Sequence, residues 1–310
     1  MAREMKDSGI AWIGEIPREW KVTPLKTSIQ WKSQKNHDDA VVLPCETEQQ
    51  RITDFLDTEC ARIDAVIEQT RASIEEYKKL KQSVITQAVT KGIRPGRKMK
   101  DSGIEWIGEI PEEWECEKVF RIFKTIGSGT TPKSSDESYY DGSIHWIQSG
   151  DINGGVLTST KASVTNEAIE RFSALKIYDA PFIIIAMYGA SIGNLSISSI
   201  DGCVNQACCV LQNGCQEQMY SFYAMKVVKD YLIWKAVGGG QPNISQETIK
   251  QLWLPMPPRD EQKEIVDFLN GKVAEVDKLI IKKGQLLAEL ESYKKSLVFE
   301  YVTGKKEVDE

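Results

Sequence analysis

Histidine is nearly missing from this chain: His37 and His145 are the only two in 310 residues. Zinc sites draw on Cys and His at short, regular spacings. The seven cysteines (Cys45, Cys60, Cys116, Cys203, Cys208, Cys209, Cys215) never fall in CxxC spacing, so no metal site is expected. An odd count in a long chain without an apolar leader also argues against a disulfide framework. These cysteines read as small apolar residues in strands. Long hydrophobic runs are lacking as well. The greasiest stretch, "APFIIIAMYGA" (Ala180 to Ala190), is the size of a buried strand and far short of the ~18–20 residues of a membrane span. With "MAREMKDSG" at its start, the chain is expected in the cytoplasm and away from membranes. Positive charge is not in excess either: the net charge is −6 and the pI about 5.3. Phosphate contacts want a basic face, so a binder of nucleic acid would need a local patch or a basic partner.

What is present is repetition. "MKDSGIAWIGEIPREW" (Met5 to Trp20) returns as "MKDSGIEWIGEIPEEW" (Met99 to Trp114), with only Ala11/Glu105 and Arg18/Glu112 changed. A second pair follows without gaps. The stretch from Glu48 to Gly92 aligns with that from Glu261 to Lys305, matching Asp54/Asp267, Phe55/Phe268, Leu56/Leu269, Ile67/Ile280, Lys81/Lys294 and Thr90/Thr303. Internal repeats are sought first because they set the architecture.

Both copies of the second repeat have the apolar stripe of a long amphipathic helix. In the first, Ile52, Leu56, Ile63, Ile67, Tyr77, Leu80 and Val84 recur at three- and four-residue steps. In the second, Ile265, Leu269, Val276, Leu279, Leu287, Leu290, Tyr293 and Leu297 do the same. Pro44 before Thr47, and Pro257-Pro258 before Asp260, mark starts, and Gly92 and Gly304 mark stops. Some 40 helical residues span about 60 Å. Two such stripes predict an antiparallel coiled pair, within one chain or between two.

Between Trp114 and Pro258 lies enough chain for a domain; between Trp20 and Thr47 there is not. "FIIIAMY" (Phe182 to Tyr188), "LSISSI" (Leu195 to Ile200) and "CCVLQ" (Cys208 to Gln212) read as strands, and Gln216 to Val237 reads as a helix. The expected fold class is α+β: one mixed domain plus two long helices.

This arrangement resembles the DNA-specificity subunit of type I restriction–modification systems. The resemblance rests on the "KDSGIxWIGEIPxxW" opener, on "TIGSGTTPKSSDESYYDGSIHWIQSGDINGG" (Thr125 to Gly155), and on "GGGQPNISQETIKQLWLPMPPRDEQKEIVDFL" (Gly238 to Leu269). It implies target-recognition domains at the ends of an antiparallel helix pair, each reading half of a bipartite site in double-stranded DNA. It implies docking of methyltransferase subunits, with restriction subunits able to join, and no chemistry in the chain itself. S-adenosylmethionine, ATP and Mg would belong to those partners. The chain departs from the pattern because one recognition domain is nearly absent. The implied organisation is a remnant of a first recognition domain (1–44), a spacer helix (45–92), a linker (93–98), a recognition domain (99–258), a second spacer helix (259–304) and a tail (305–310). Two such chains would read a symmetric site. The alternative is a truncated interaction protein that docks the methyltransferase without productive targeting.

Base reading needs Arg, Lys, Asn, Gln, Ser and Thr on approachable loops. The candidates for DNA contact are Lys124, Ser128, Thr130, Thr131, Lys133, Gln148, Ser149, Asn153, Tyr188, Ser191, Asn205, Gln206, Gln241 and Asn243. Each loop also has a plain reading as a glycine-dependent turn. The duplicated opener is expected to pack a chain entrance onto a domain rather than to stack on bases. No catalytic residue is expected. "MPPR" (Met256 to Arg259) lacks the leading Asn and the ring of an N-P-P-[YF] methyltransferase pocket, and no GxxxxGK[ST] stretch occurs.

Overall fold

The computed structural model describes residues 4–24, 40–43, 46–214, 217–236 and 243–308. The chain divides into two compact units, one of residues 1–78 and 276–310, the other of residues 79–275. The elements in chain order begin with β1 (Met5–Asp7), β2 (Glu15–Pro17), β3 (Lys21–Pro24), β4 (Ala40–Leu43) and the 46-residue helix α1 (Glu46–Lys91). Next come β5 (Met99–Asp101), β6 (Glu109–Pro111), β7 (Glu115–Lys118), α2 (Val119–Ile122), β8 (Phe123–Ser128), β9 (Tyr140–Ile147), β10 (Val156–Leu157), β11 (Ala162–Val164) and α3 (Asn166–Arg171). The series ends with β12 (Phe182–Ala186), β13 (Leu195–Ser198), β14 (Cys203–Val204), β15 (Cys208–Gly214), α4 (Gln218–Ala236), α5 (Gln246–Lys250), β16 (Trp253–Met256) and the 44-residue helix α6 (Arg259–Val302). This is the expected α+β class.

The duplicated opener folds the same way twice. Asp7 Oδ1 accepts from the Gly9 amide (2.9 Å) and Ser8 Oγ from the Ile10 amide (3.1 Å). Asp101 and Ser102 repeat both bonds to Gly103 and Ile104. These side chains imitate backbone turns, and Gly9 and Gly103 sit at φ near +70°, which a side chain rarely adopts. The turn closes a short antiparallel ribbon, β1–β2 in one unit and β5–β6 in the other.

Each opener then docks a tryptophan on a helix start. In the first unit Ile13, Ile16 and Trp20 are buried against Ile52, and the Trp20 indole donates to Glu48 Oε2 at 3.0 Å. In the second, Ile107, Ile110 and Trp114 are buried with Ile85, Ala88 and Val89, and the Trp114 indole donates to Glu261 Oε2 at 3.1 Å. Burying such a ring removes about 200 Å² from water, worth roughly 5 kcal/mol before entropy is counted. The indole N–H needs an acceptor once buried, and the glutamate supplies it. The same ring crowds the glycine that ends the other helix, at positive φ in both cases: a Cβ on Gly92 would lie 2.9 Å from Arg97 and 3.2 Å from Trp114, and one on Gly304 would lie 2.5 Å from Pro17 and 2.8 Å from Trp20.

In the second unit a buried ion pair reinforces this joint. Arg97 bridges Glu261 and Glu113, with side-chain exposures of 11% for Arg97 and 3% for Glu261. Its guanidinium is held charged more firmly than usual, chiefly by the bond to Glu261.

The long helices pair antiparallel. Within the first unit Lys294 meets Asp64, Arg71 meets Glu291, and the Phe55 and Tyr301 rings lie 4.6 Å apart. Partner numbers fall as the others rise. Ile63, Ile67 and Leu297 are buried there, with Leu56, Leu287 and Leu290 packed against them, and Val276 is buried as well. Within the second unit, Ile265 and Leu269 are fully buried in the main core of the α+β domain, and Arg94 pairs with Glu264. Two residues placed on the seam by periodicity lie off it: Leu80 is 49% exposed and Leu279 41%. A helix advances 3.6 residues per turn, so a stripe of threes and fours drifts around it, and these positions have turned to solvent. Tyr293 is exposed for the same reason.

The α+β domain holds a five-stranded sheet of order β10-β13-β12-β15-β8 and a three-stranded sheet of order β11-β9-β14. β12 is buried along its whole length, as its unbroken apolar sequence requires. α4 packs Tyr220, Tyr223, Met225, Val228 and Leu232 into the core. Strands β7 and β16 pair antiparallel, so the chain enters and leaves the domain side by side. In the first unit β3 and β4 pair in the same way around residues 25–39. Trp31 and the region from Gln30 to Asp39 lie outside the described residues.

Two measurements check this packing. Leu297→Ala should cost about 2–3 kcal/mol in urea unfolding, while Leu279→Ala and Leu80→Ala cost under about 1 kcal/mol each. Glu261→Ala leaves the Trp114 N–H without its acceptor and Arg97 with Glu113 alone, and a loss of about 3 kcal/mol is expected by the same assay.

Candidate nucleic-acid interface

Strand directions bring most of the polar loops to one end of the α+β domain. β8 and β12 run the same way, each antiparallel to β15 between them, so the loops after Ser128 and Ala186 emerge together with the turn before Cys208. β9 and β14 run parallel in register at Ile147 and Val204, which brings the segments from Gln148 and from Asn205 together. The sheets meet where the Gly129 amide donates to the Asn205 carbonyl (3.4 Å) and the Asn205 amide to the Ile147 carbonyl (3.0 Å). Gly129 is required here, because a Cβ would lie 1.6 Å from the Val204 carbonyl oxygen.

The resulting edge carries Ser128, Thr130, Thr131, Lys133, Gln148, Ser149, Asn153, Tyr188, Ser191, Asn205 and Gln206. Asn243 joins through its bridge to Tyr188. These side chains do different work. Thr131 donates to the Gln206 carboxamide, and Ser128 Oγ to the Gln206 carbonyl at 3.3 Å, which ties two loops at an exposed point. Asn205 Oδ1 accepts from the Ala207 amide (3.0 Å) and Asn153 Oδ1 from the Gly155 amide (3.0 Å), so both shape their own turns. Gln148 and Asp151 cap a short helical turn reciprocally. Thr131, Lys133, Gln206 and Asn243 are exposed, and Tyr188 is 39% exposed.

One candidate lies elsewhere. Lys124 is on β8 beside the end of β15, since Phe123 pairs with Gly214 while Ser128 pairs with Cys209. Four strand residues place it about 13 Å from the loop edge. Gln241 lies outside the described residues. Sequence reading missed the partners Arg97, Glu113 and Glu261, although Trp20/Glu48 and Trp114/Glu261 recur at matching repeat positions and carried that signal.

Among the described residues the edge offers hydroxyls, carboxamides and Lys133, with Lys229 bonded to Asn194 in the loop after Ala186 and with Asp136 and Glu137 just beyond Lys133. Such a surface can meet the donors and acceptors of base edges, while its own attraction for phosphates is modest. Among the described residues no helix is long and apolar enough to cross a membrane.

Fold and loop edge together define a recognition module carried on a pair of long helices. The sequence model of the type I restriction modification DNA specificity domain matches residues 111–292, over half of the chain, and the protein belongs to that family. Among curated relatives, a Methanocaldococcus jannaschii protein assigned as the type I restriction enzyme MjaX specificity subunit is 26% identical over 86% of this chain and 59% of its own length. The MjaIX specificity subunit of the same organism is 27% identical over 53% of this chain and 39% of its own. The chain therefore spans less than two thirds of either relative. Among solved structures, a chain from work on complex assembly and conformational transition of the type I R-M system aligns over 91% of this chain and 67% of that one, with a TM-score of 0.68 at 17% identity. The HsdS subunit from Thermoanaerobacter tengcongensis aligns over 92% and 67%, with a TM-score of 0.51 at 16% identity. These two likenesses concern the fold.

Cys203, Cys208 and Cys209 are buried in the strands below the loop edge, and burial pushes each thiol up to about 12. Iodoacetamide at pH 8 should leave all three unmodified in the folded protein and alkylate them in denaturant, as read by peptide mass spectrometry.

Proposed function

We propose that the chain acts as the specificity subunit of a type I restriction–modification complex, reading double-stranded DNA through its one recognition domain. The observation that carries this reading is the gathering of hydroxyl and carboxamide side chains from separate loops at one end of the domain. The chain performs no chemistry. Methyltransferase subunits dock along the paired helices and bring S-adenosylmethionine; a restriction subunit brings the ATP and Mg chemistry. The complex works in the cytoplasm, where its DNA lies. Two chains together present two identical readers and select a symmetric bipartite site.

The exposed pair Thr131 and Gln206, fixed against each other, and Tyr188 beside Asn243 are the groups best placed for base contact. Lys133 supplies phosphate attraction. Asn153 and Asn205 keep the loops in shape.

Co-purification with a matching methyltransferase subunit, followed by sequencing of methylated adenines, tests the reading. Methylation at an inverted-repeat site is the expected result. A stable complex that methylates nothing would favour the truncated docking protein instead. In direct DNA binding, Gln206→Ala should weaken the target about tenfold and relax preference at one position, as expected for ~1–3 kcal/mol per base contact. Lys133→Ala should weaken all sequences alike and lower the salt slope by about one. Lys124→Ala should change neither.

A further inference from the structure

The loop that leaves β8 carries two of the exposed edge groups, Thr131 and Lys133, and Pro132 between them is buried. Proline has no N–H, so its carbonyl is its only backbone tie. That carbonyl accepts from the Tyr140 hydroxyl at 2.7 Å in part-buried surroundings. Tyr140 is firmly rooted. It opens β9, pairs with Val164 on β11, and packs its ring 5.8 Å from that of Trp146 in a small core with Val164, Leu175 and Cys203. Tyr139 beside it meets Phe172 edge-on at 5.2 Å, and its carbonyl accepts from the Thr165 amide at 3.1 Å. Gly142 permits this close approach, because a Cβ there would lie 2.3 Å from the Val164 carbonyl oxygen. The loop itself has few ties. Among the described residues, the stretch 130–135 is joined to the rest of the domain by two hydrogen bonds, Thr131 to Gln206 and Tyr140 to Pro132. A third, from the Asp136 amide to the Lys133 carbonyl (3.1 Å), only closes the loop on itself.

The two ties differ in what DNA does to them. Thr131 and Gln206 are exposed, and a base edge that takes their hydroxyl and carboxamide competes with the bond between them. The Tyr140 bond is part-buried and ends on a main-chain carbonyl, so base contact leaves it in place. We infer that Tyr140 is a positioning residue for DNA reading: its hydroxyl holds Pro132, and through it Thr131, in register with Gln206 while that pair engages a base. The inference rests on the proposed DNA-reading role. It concerns direction rather than charge. Hydrogen bonds to base edges weaken steeply with angle. The attraction of Lys133 for phosphates acts over a screening length of about 8 Å and tolerates small movements of the loop. Loss of the Tyr140 hydroxyl therefore costs discrimination and spares general affinity.

The test removes one oxygen atom. In the free chain, Tyr140→Phe should speed trypsin cleavage after Lys133 about tenfold, read by mass spectrometry, with cleavage elsewhere within about twofold. The second readout uses the full chain with a matching methyltransferase subunit and a pool of duplexes randomised over their central positions. The natural chain and the variant should select a shared motif in which Tyr140→Phe loses preference at one or two adjacent positions. The variant should bind the selected duplex about tenfold more weakly. Affinity for a duplex lacking the motif should stay within about twofold, and the salt slope should not change. In a Thr131→Val background the same change should cost under about twofold on the selected duplex, because the two side chains act in one chain of contacts. Four results would each overturn the inference and leave the DNA-reading assignment standing: unchanged cleavage after Lys133, an unchanged motif, additive losses in the double variant, or equal losses on duplexes with and without the motif. A natural chain that enriches no motif would overturn that assignment, and the positioning role with it, before any variant is compared.

Discussion

A buried indole N–H demands an acceptor, and that demand organises both units. Trp20 and Trp114 each bring an apolar ring and one donor to the start of a long helix, and Glu48 or Glu261 answers the donor. The ring then seals the glycine end of the other long helix, at Gly304 or Gly92. One side chain thereby fixes three things: where the opener lies, where one helix begins and where the other stops. The antiparallel course of the helices follows within each unit, because a start and an end must reach the same tryptophan. The second unit adds Arg97, whose charge is satisfied on both sides by Glu113 and Glu261.

That joint also explains why the recognition domain can tolerate loops that do little for stability. The core of β12, β15 and α4 is apolar and dense, and the exposed edge is held by a few backbone bonds at Gly129 and Asn205. Chemistry at the edge can vary while the sheet beneath it stays the same. Tyr188, Thr131 and Gln206 stand on strand ends whose positions are set by Ile183, Ile185 and Leu211 rather than by the edge itself.

Much of this was legible in the sequence. The duplicated opener, the two long helices, the buried strand at Phe182 and the α+β class all follow from repeats and periodicity. The direction of β8, which sets Lys124 apart from the loop edge, did not: composition says which residues are polar, and only register says which end of a strand they occupy. Leu80 and Leu279 were misplaced because a heptad-like stripe assumes one continuous partner, whereas α1 and α6 face a helix in the first unit and a domain core in the second. The pairing of tryptophan with glutamate was in view twice and became meaningful once burial showed the need for it.

The strands β7 and β16 have a consequence for chain entropy. Because they lie hydrogen-bonded side by side, everything between Lys118 and Trp253 is a loop whose ends already meet. The ends of the far shorter span between Pro24 and Ala40 meet in the same manner. Closing a longer loop costs only (3/2)RT ln n more, roughly 2 kcal/mol across this difference in length. The chain-closure part of gaining or losing a module at such a gate is therefore smaller than the cost of one large cavity in a packed interior.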